Sequence, residues 1–297
     1  MGLTGALSMD PYTIYGDLGS RDAVALAAIL AAKGLEIELV AESPSLVLTL
    51  ATRAGRETGP YLRTPEGFVF AELHAMLDWI ERLHPDPPLL PTTPVRRTCA
   101  RLLEDWIELW LPLWPRRSWT TLEGLAAHLD RAGHLLGPQP TRPDWLLAAW
   151  LETQVLVHEH ARSHLARRAP RLVSYGSELL DRGQPSVLAA ADDAIPISLL
   201  AVFDSLAGDY HTYLEANQAA LKDGRERVLL DLGLGRQAFA VRPECETRRV
   251  GIGRELAARE GWERRDVRRI LEPVGAWHAL GWPPATLRPD PSDPRSL

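Results

Sequence analysis

One hydroxyl in this sequence stands where a helix would begin, and that combination can do chemistry. Ser20 closes the turn Asp17-Leu18-Gly19-Ser20 and precedes Arg21–Lys33, whose apolar spacing predicts a helix. The N-terminus of a helix exposes amide hydrogens and favours negative charge, so it lowers the pKa of a thiol held there. A hydroxyl that hydrogen-bonds to the sulfur favours the charged thiolate further. Ser20 is also a preferred N-cap residue, and the capping role and the thiolate-binding role can coexist.

Two further segments carry candidate binding residues. Gly59-Pro60 precedes the predicted strand Tyr61-Leu62-Arg63, and this position favours a cis peptide bond although most X-Pro bonds are trans. Glu72-Leu73 lies at the start of a predicted helix, Ala71–Leu83, where the Glu72 carboxylate suits the helix dipole. Glu72 is therefore either a ligand-binding residue or only a favourable charge near the helix N-terminus.

Other side chains that could do chemistry are assigned structural roles. Tyr12 and Tyr15 are two phenols on the first predicted strand, and we expect them to point the same way and to pack in the core. His160 and His164 are spaced for one face of a helix, but the surrounding residues do not fit the pattern His-Glu-x-x-His. We therefore expect a solvated face there and no metal site.

The elements that position these residues alternate between strand and helix before residue 84. A strand, a helix and a strand this close together imply a right-handed parallel crossover. Ser43–Arg56 is ambiguous and could hold a short helix. The predicted elements are the strands Tyr12–Tyr15, Leu35–Leu39, Tyr61–Arg63 and Phe68–Phe70 and the helices Arg21–Lys33 and Ala71–Leu83. The helix Arg21–Lys33 is apolar all round, which indicates that it is covered on both faces.

Helices dominate the rest of the chain. The segment His84–Pro91 is too rich in proline for helix or sheet and indicates a stiff linker. Thr141-Arg142-Pro143-Asp144 has the pattern of a capping box at the start of a long helix. The predicted helices are Val95–Trp114, Leu122–Arg131, Thr141–Arg168, Ile195–Leu206, Tyr210–Leu221, Thr247–Ala258 and Arg265–Leu271, with a hairpin formed by Arg227–Leu232 and Gln237–Val241.

This arrangement resembles the cytosolic glutathione transferase superfamily. The residues that carry the resemblance are Tyr15–Ser20, Gly59-Pro60, Glu72, Pro88–Pro91 and the segment Leu136–Trp145. The resemblance implies an α/β thioredoxin-like N-terminal domain followed by an all-α C-terminal domain. The implied boundaries are a glutathione-binding domain over 10–84, a linker over 85–93, a helical electrophile-binding domain over 94–183, a mostly helical extension over 184–282 and a flexible tail over 283–297.

The resemblance also implies an activity, the conjugation of reduced glutathione to a small apolar electrophile or a related thiol-dependent isomerisation or peroxide reduction. Glutathione is then a co-substrate, and Ser20 stabilises its thiolate. The positions implied to bind the peptide are Arg21, Gly59, Pro60, Tyr61, Glu72 and Leu73. One position departs from the family pattern, because Glu72 is followed by Leu73 where the family usually has Ser or Thr. A lost hydrogen bond to a charged group costs roughly 1.5–3 kcal/mol, so glutathione would bind about ten- to a hundredfold more weakly.

Two other functions stay open. Leu73 favours a binding or scaffold protein that kept the fold and lost useful glutathione affinity. The long region after Gly183 favours a docking subunit that uses its C-terminal extension as an interface. Truncation at Gly183 would separate the docking function from the others.

Composition limits the partners and the compartment. The net charge of −6 argues against a broad surface for nucleic acid. No run of 18 uninterrupted apolar residues predicts a membrane span, and Met1–Met9 does not have the pattern of a secretory signal. Two cysteines, Cys99 and Cys245, are too few for a disulfide framework and fit a reducing cytoplasm. We therefore expect a cytoplasmic protein, and the resemblance implies a homodimer.

Overall fold

The computed structural model describes residues 10–41, 43–113, 119–182, 192–233 and 235–281. The chain divides into two compact units: unit 1 takes residues from 1–90 and 139–190, and unit 2 takes residues from 91–138 and 191–297. The two units thus interleave along the sequence, whereas the predicted domains follow one another. The chain first passes from unit 1 to unit 2 between residues 90 and 91, which lie within the predicted linker, 85–93. The N-terminal residues Met1–Met9 and the predicted tail 283–297 lie outside the described residues.

The elements are named in chain order. The N-terminal part contains β1 (Tyr12–Gly16), α1 (Arg21–Ala32), β2 (Ile37–Ala41), α2 (Pro44–Ala54), β3 (Tyr61–Arg63), β4 (Val69–Phe70) and α3 (Leu73–Leu83). The remainder contains α4 (Pro94–Asp105), α5 (Trp119–Ala132), α6 (Arg142–Trp150), α7 (Glu159–Arg168), α8 (Pro170–Arg182), α9 (Leu199–Leu206), α10 (Thr212–Asp223), β5 (Arg227–Asp231), β6 (Arg236–Ala240), α11 (Pro243–Ala257) and α12 (Gly261–Leu271).

Unit 1 is built on a four-stranded sheet with the order β2-β1-β3-β4. β1 pairs with β2 in parallel and with β3 antiparallel, and β3 pairs with β4 antiparallel. This is the strand order and polarity of a thioredoxin-like domain, and with the helices that follow it confirms the predicted fold class. The ambiguous segment Ser43–Arg56 contains α2.

α1 forms the centre of unit 1. It packs against β1, β2, α3 and α6. Leu26, Ile29 and Leu30 are almost fully buried, together with the smaller Ala23, Ala25 and Ala32. The prediction that this apolar helix is covered on both faces is therefore correct, and the second covering element is α6.

The predicted long helix Thr141–Arg168 is interrupted. Thr141 and Asp144 form the predicted capping box, but α6 ends at Trp150 and passes into a π-helical turn, Leu151–Val155. The wider turn ends with the Leu156 amide donating to the Leu151 carbonyl oxygen (2.8 Å). A π turn shifts the hydrogen-bond ladder by one residue, and α7 begins only after the extended N-cap residue His158.

In the described residues of unit 2, the predicted hairpin forms as β5 and β6, and the other regular elements are helical. α4 continues through a π-helical turn, Trp106–Trp110, and one 3₁₀ turn that ends at Leu113, so the described part of this helical segment stops before the predicted end at Trp114. α11 and α12 pack against α4, and α9 packs against α5. The region predicted as an extension therefore contributes to the packed interior of this unit. Within the described residues, no helix combines the length and the apolar character that crossing a bilayer requires.

Candidate active site

The strand register brings three candidate segments to one edge of the sheet of unit 1. Tyr15 of β1 lies opposite Tyr61 of β3, so the turn after β1 and the Gly59-Pro60 turn before β3 meet at the same edge. Leu62 lies opposite Phe70, so β4 runs toward that edge and leads directly into α3. Adjacent strands are about 4.8 Å apart. The starts of α1, β3 and α3 are therefore neighbours, in that order.

Ser20 is the N-cap of α1, as predicted. Its backbone is extended (φ −71°, ψ 148°), and its Oγ accepts a hydrogen bond from the Ala23 amide at 3.4 Å. The side chain is half-buried. The preceding turn is held by the Asp17 carbonyl and carboxylate oxygens, which accept from the Ser20 amide (2.9 Å) and the Gly19 amide (3.0 Å). Because the capping bond is long, the hydroxyl is weakly engaged by the chain itself.

Arg21 and Asp22 form an ion pair in the first turn of α1. The Arg21 guanidinium donates to the Asp22 carboxylate at 2.6 Å. A carboxylate in the first turn stabilises the helix but opposes a second anion at the same terminus. The guanidinium offsets this opposing charge. The geometry therefore gives Arg21 an electrostatic role beside the predicted role in holding a peptide.

The Gly59–Pro60 peptide bond is cis, as expected. Pro60 is buried and Gly59 is half-buried at the edge defined above. Tyr61, the third predicted binding residue of this segment, is fully buried, and its hydroxyl donates to the Arg56 carbonyl oxygen at 3.1 Å. The Tyr61 ring packs with Leu50 and Ala71 in the core, so its side chain is turned away from any ligand and only its backbone belongs to the edge.

Glu72 is the N-cap of α3. Its carboxylate accepts hydrogen bonds from the His74 amide (3.1 Å) and from the Ala75 amide (2.6 Å). The structure shows the capping alternative, and it places the same carboxylate at the edge that also carries Ser20 and Gly59. Leu73 follows with 5% of its surface exposed. Its side chain is in the core, so it leaves the edge open and offers no hydrogen bond there.

The two alternative phenols are placed differently from the prediction. Tyr12 contacts Trp79 and His84, whereas Tyr15 packs against the cluster of Leu50, Tyr61 and Ala71. Residues three apart on a strand point to opposite faces, so the expectation that these tyrosines share a face is wrong. The Tyr12 hydroxyl forms a 2.7 Å hydrogen bond with His84 Nε2, and burial raises the pKa of this phenol. Tyr12 begins β1, at the end of the strand far from Ser20.

Two buried cations that the sequence did not single out connect elements of unit 1. Lys33, which follows α1, has a fully buried side chain that donates to the carbonyl oxygens of His84 (2.6 Å) and Pro87 (2.8 Å) and pairs with Glu81 (2.9 Å). Arg142, fully buried at the start of α6, donates to the Asp78 carboxylate of α3 at 2.8 Å. Among the described residues, no group of three or more His, Cys, Asp or Glu side chains could hold a metal ion.

The chain is similar to several solved structures of glutathione S-transferases. The chain is similar to a glutathione S-transferase from Methylobacterium radiotolerans in complex with glutathione sulfonate, with 25% identity over 62% of this chain and 99% of that one and a TM-score of 0.47. It is also similar to a glutathione S-transferase from Rhodospirillum rubrum, with 20% identity over 64% of this chain and 99% of that one and a TM-score of 0.48. A third similar structure is the Tau class glutathione S-transferase from mango, Mangifera indica, with 15% identity over 60% of this chain and 92% of that one and a TM-score of 0.49. No protein-family model and no curated protein matches the sequence. These solved structures belong to the superfamily that the sequence resembles.

Proposed function

We propose that this protein is a glutathione transferase-like enzyme that conjugates reduced glutathione to a small apolar electrophile. The observation that carries the proposal is the position of Ser20: a half-buried hydroxyl caps α1 at the same sheet edge as the cis Gly59–Pro60 turn. In this proposal the thiol of the peptide lies at the start of α1, and the backbone of Gly59 pairs with the cysteine of the peptide.

The chemistry that this arrangement supplies is the ionisation of a thiol. A free thiol has a pKa of about 8.5, and the amides at the start of α1 together with the Ser20 hydroxyl favour the charged form. The thiol proton passes to solvent, the thiolate attacks the electrophilic carbon, and a carbon–sulfur bond forms as the leaving group departs with its electron pair. Arg21 keeps the terminus receptive to the thiolate, because it offsets the Asp22 carboxylate.

The same proposal places the enzyme in the cytoplasm as a homodimer that takes glutathione and an apolar electrophile and no nucleic acid. The net charge of −6 supports the lack of a nucleic-acid partner, and the two buried, free cysteines, Cys99 and Cys245, fit a reducing compartment. The homodimer and the two substrates rest on the family resemblance. Related thiol-dependent reactions, isomerisation or peroxide reduction, would use the same thiolate.

The second candidate is a binding or scaffold protein that kept this fold with weak or no glutathione affinity. Two observations favour it. The Glu72 carboxylate already accepts from two amides at the start of α3, and Leu73 is buried without a hydrogen bond to offer a ligand. The docking alternative has less support, because the region after residue 191 packs with α4 and α5 inside unit 2.

Glutathione agarose and a chloro-dinitrobenzene conjugation assay separate these functions. The enzyme proposal expects retention on the resin and a conjugation rate that falls in Ser20→Ala. Retention without any rate dependent on Ser20 would favour the binding protein. Neither retention nor rate would leave only the fold.

A further inference from the structure

We propose that the outer edge of β5, the side of the strand that faces away from β6, is an interface between two copies of this chain. The two hairpins pair antiparallel across a two-fold axis. The partner at this edge is a second copy, because the strand is complementary to itself in charge and in the direction of its backbone groups. The interface is built from unit 2 alone, and it would form whether or not the chain binds glutathione.

The register of the hairpin shows which backbone groups of β5 point outward. The Val241 amide donates to the Glu226 carbonyl oxygen at 2.8 Å, so the even-numbered residues of β5 exchange hydrogen bonds with β6. The alternate residues direct their N–H and C=O groups to the other side of the strand. On β5 these residues are Arg227, Leu229 and Asp231. Among the described residues, no group outside the hairpin hydrogen-bonds to the backbone of these three.

The opposite edge of the hairpin is already partly covered by α10. Ala240 is an outward-directed residue of β6, and its carbonyl oxygen accepts from the Tyr213 hydroxyl at 2.9 Å. The Asn217 side chain bonds to both backbone groups of Arg242, which follows β6. Within the part of the chain that the structure describes, the edge left open is therefore that of β5. An open strand edge is a template for pairing with another chain.

The side chains of β5 match a second copy of the same strand. When Leu229 lies on the two-fold axis, Arg227 of each copy lies opposite Asp231 of the other. These three side chains share one face of the strand, and all three are exposed, Leu229 by 67%. Pairs of opposite charge and pairs of apolar side chains across antiparallel strands stabilise a sheet. The same three residues carry the outward backbone groups, so side chains and backbone favour the same register.

Disulfide trapping tests this pairing. An edge of five residues is smaller than a standard interface of about 1,600 Å², so we expect a weak association that a covalent bond can capture. On the axis the two copies of residue 229 have Cα atoms about 5.5 Å apart, within the range of about 4.4–6.8 Å that a disulfide spans. Leu229→Cys in the full chain, oxidised with diamide, should therefore form a covalent dimer. The native cysteines, Cys99 and Cys245, are buried.

Ala238→Cys is the matched control. Ala238 is exposed and lies directly opposite Leu229 on β6. Three strand spacings, about 14 Å, would separate its two copies in the paired hairpins, which is too far for a disulfide. A non-reducing gel follows the formation of covalent dimer in both variants, and thermal unfolding shows that each retains the fold.

We expect Leu229→Cys to form covalent dimer at least about tenfold faster than Ala238→Cys. Adding Arg227→Asp to Leu229→Cys sets like charges opposite each other at both ends of the pairing, which should slow cross-linking about tenfold. Arg265→Asp, the same charge reversal at an exposed position of α12, should leave the rate unchanged. Equal rates for the two cysteine variants, or no covalent dimer in either, would overturn the interface. A rate that Arg227→Asp does not change would overturn the antiparallel register.

Discussion

Substitution of Ser20 by alanine tests the thiolate proposal at its centre. The hydroxyl has two roles to lose, a cap on α1 and a hydrogen bond to the sulfur. The cap is weak, because Ala23 donates to Ser20 Oγ over 3.4 Å, so the stability loss should be at the low end for an N-cap, about 0.5 kcal/mol. A hydrogen bond to a charged group is worth about 1.5–3 kcal/mol, so its loss should raise the pKa of the bound thiol by roughly 1–2 units.

The assay is the pH dependence of glutathione conjugation to chloro-dinitrobenzene. A thiolate-dependent rate rises with pH and levels off above the pKa of the bound thiol. In Ser20→Ala this rise should shift by about one unit to higher pH, at the lower end of the range above. The rate should then be about tenfold lower on the rising limb and close to the wild-type rate at high pH.

Two further variants separate the roles of the hydroxyl. Ser20→Gly removes the hydroxyl with little loss of capping, so it should shift the pH profile as Ser20→Ala does. Ser43→Ala changes another serine at an N-cap in the same unit, one whose side chain makes no capping hydrogen bond, so it should leave both stability and the profile unchanged. An unshifted midpoint in Ser20→Ala and Ser20→Gly would refute the reasoning and reduce Ser20 to a helix cap.

Three other predictions concern the framework. Lys33→Met should lower the free energy of unfolding by about 3 kcal/mol in urea titrations, because it leaves Glu81 without its buried partner. The control Lys222→Met, at an exposed position, should leave the free energy of unfolding almost unchanged. Equal losses of stability in the two variants would contradict the prediction. Burial lowers the pKa of His211 to about 4, against 6.5 in the unfolded chain, so the folded state loses stability as the pH falls between these values. From pH 7 to pH 5 the free energy of unfolding of the wild type should fall by about 2 kcal/mol more than that of His211→Gln. Parallel losses in the two proteins would exclude His211 as the source. A chain that ends at Arg182 lacks the helices that cover α4 and α5, so it should be insoluble on expression, and a soluble, monodisperse truncation on gel filtration would show that the extension is dispensable.

The architecture of the N-terminal half could be predicted because each element there has a strong local signal. Val24, Leu26 and Leu30 lie in a helix with no polar face, and only a central position with cover on both sides explains such a helix. The sequence could not show what the second cover is. It is α6, which is more than a hundred residues away along the chain, and no local pattern encodes that pairing.

The positions of the candidate residues along the elements could be predicted, but the directions of their side chains could not. The sequence placed Ser20, Pro60 and Glu72 at element starts, and the register brings these starts to one edge. It gave no indication that the Tyr61 side chain turns into the core or that Lys33 is buried with three oxygen partners. Because residues an odd number of positions apart on a strand point to opposite faces, the sequence is sufficient to place Tyr12 and Tyr15 on different faces of β1. The interruption after Trp150 depends on a π turn, which has no pattern of apolar residues of its own.

The edge thus presents two helix N-termini that differ in the charge of their caps. α1 is capped by the neutral Ser20 hydroxyl, and the one carboxylate in its first turn is paired with Arg21. α3 is capped by the anionic side chain of Glu72. The partial positive charge of a helix N-terminus, about half an elementary charge, is therefore available to a ligand at α1 and is offset at α3 by the chain itself. An anion that can bind at either place should therefore settle at α1, which is the position that the proposed function gives to the thiolate.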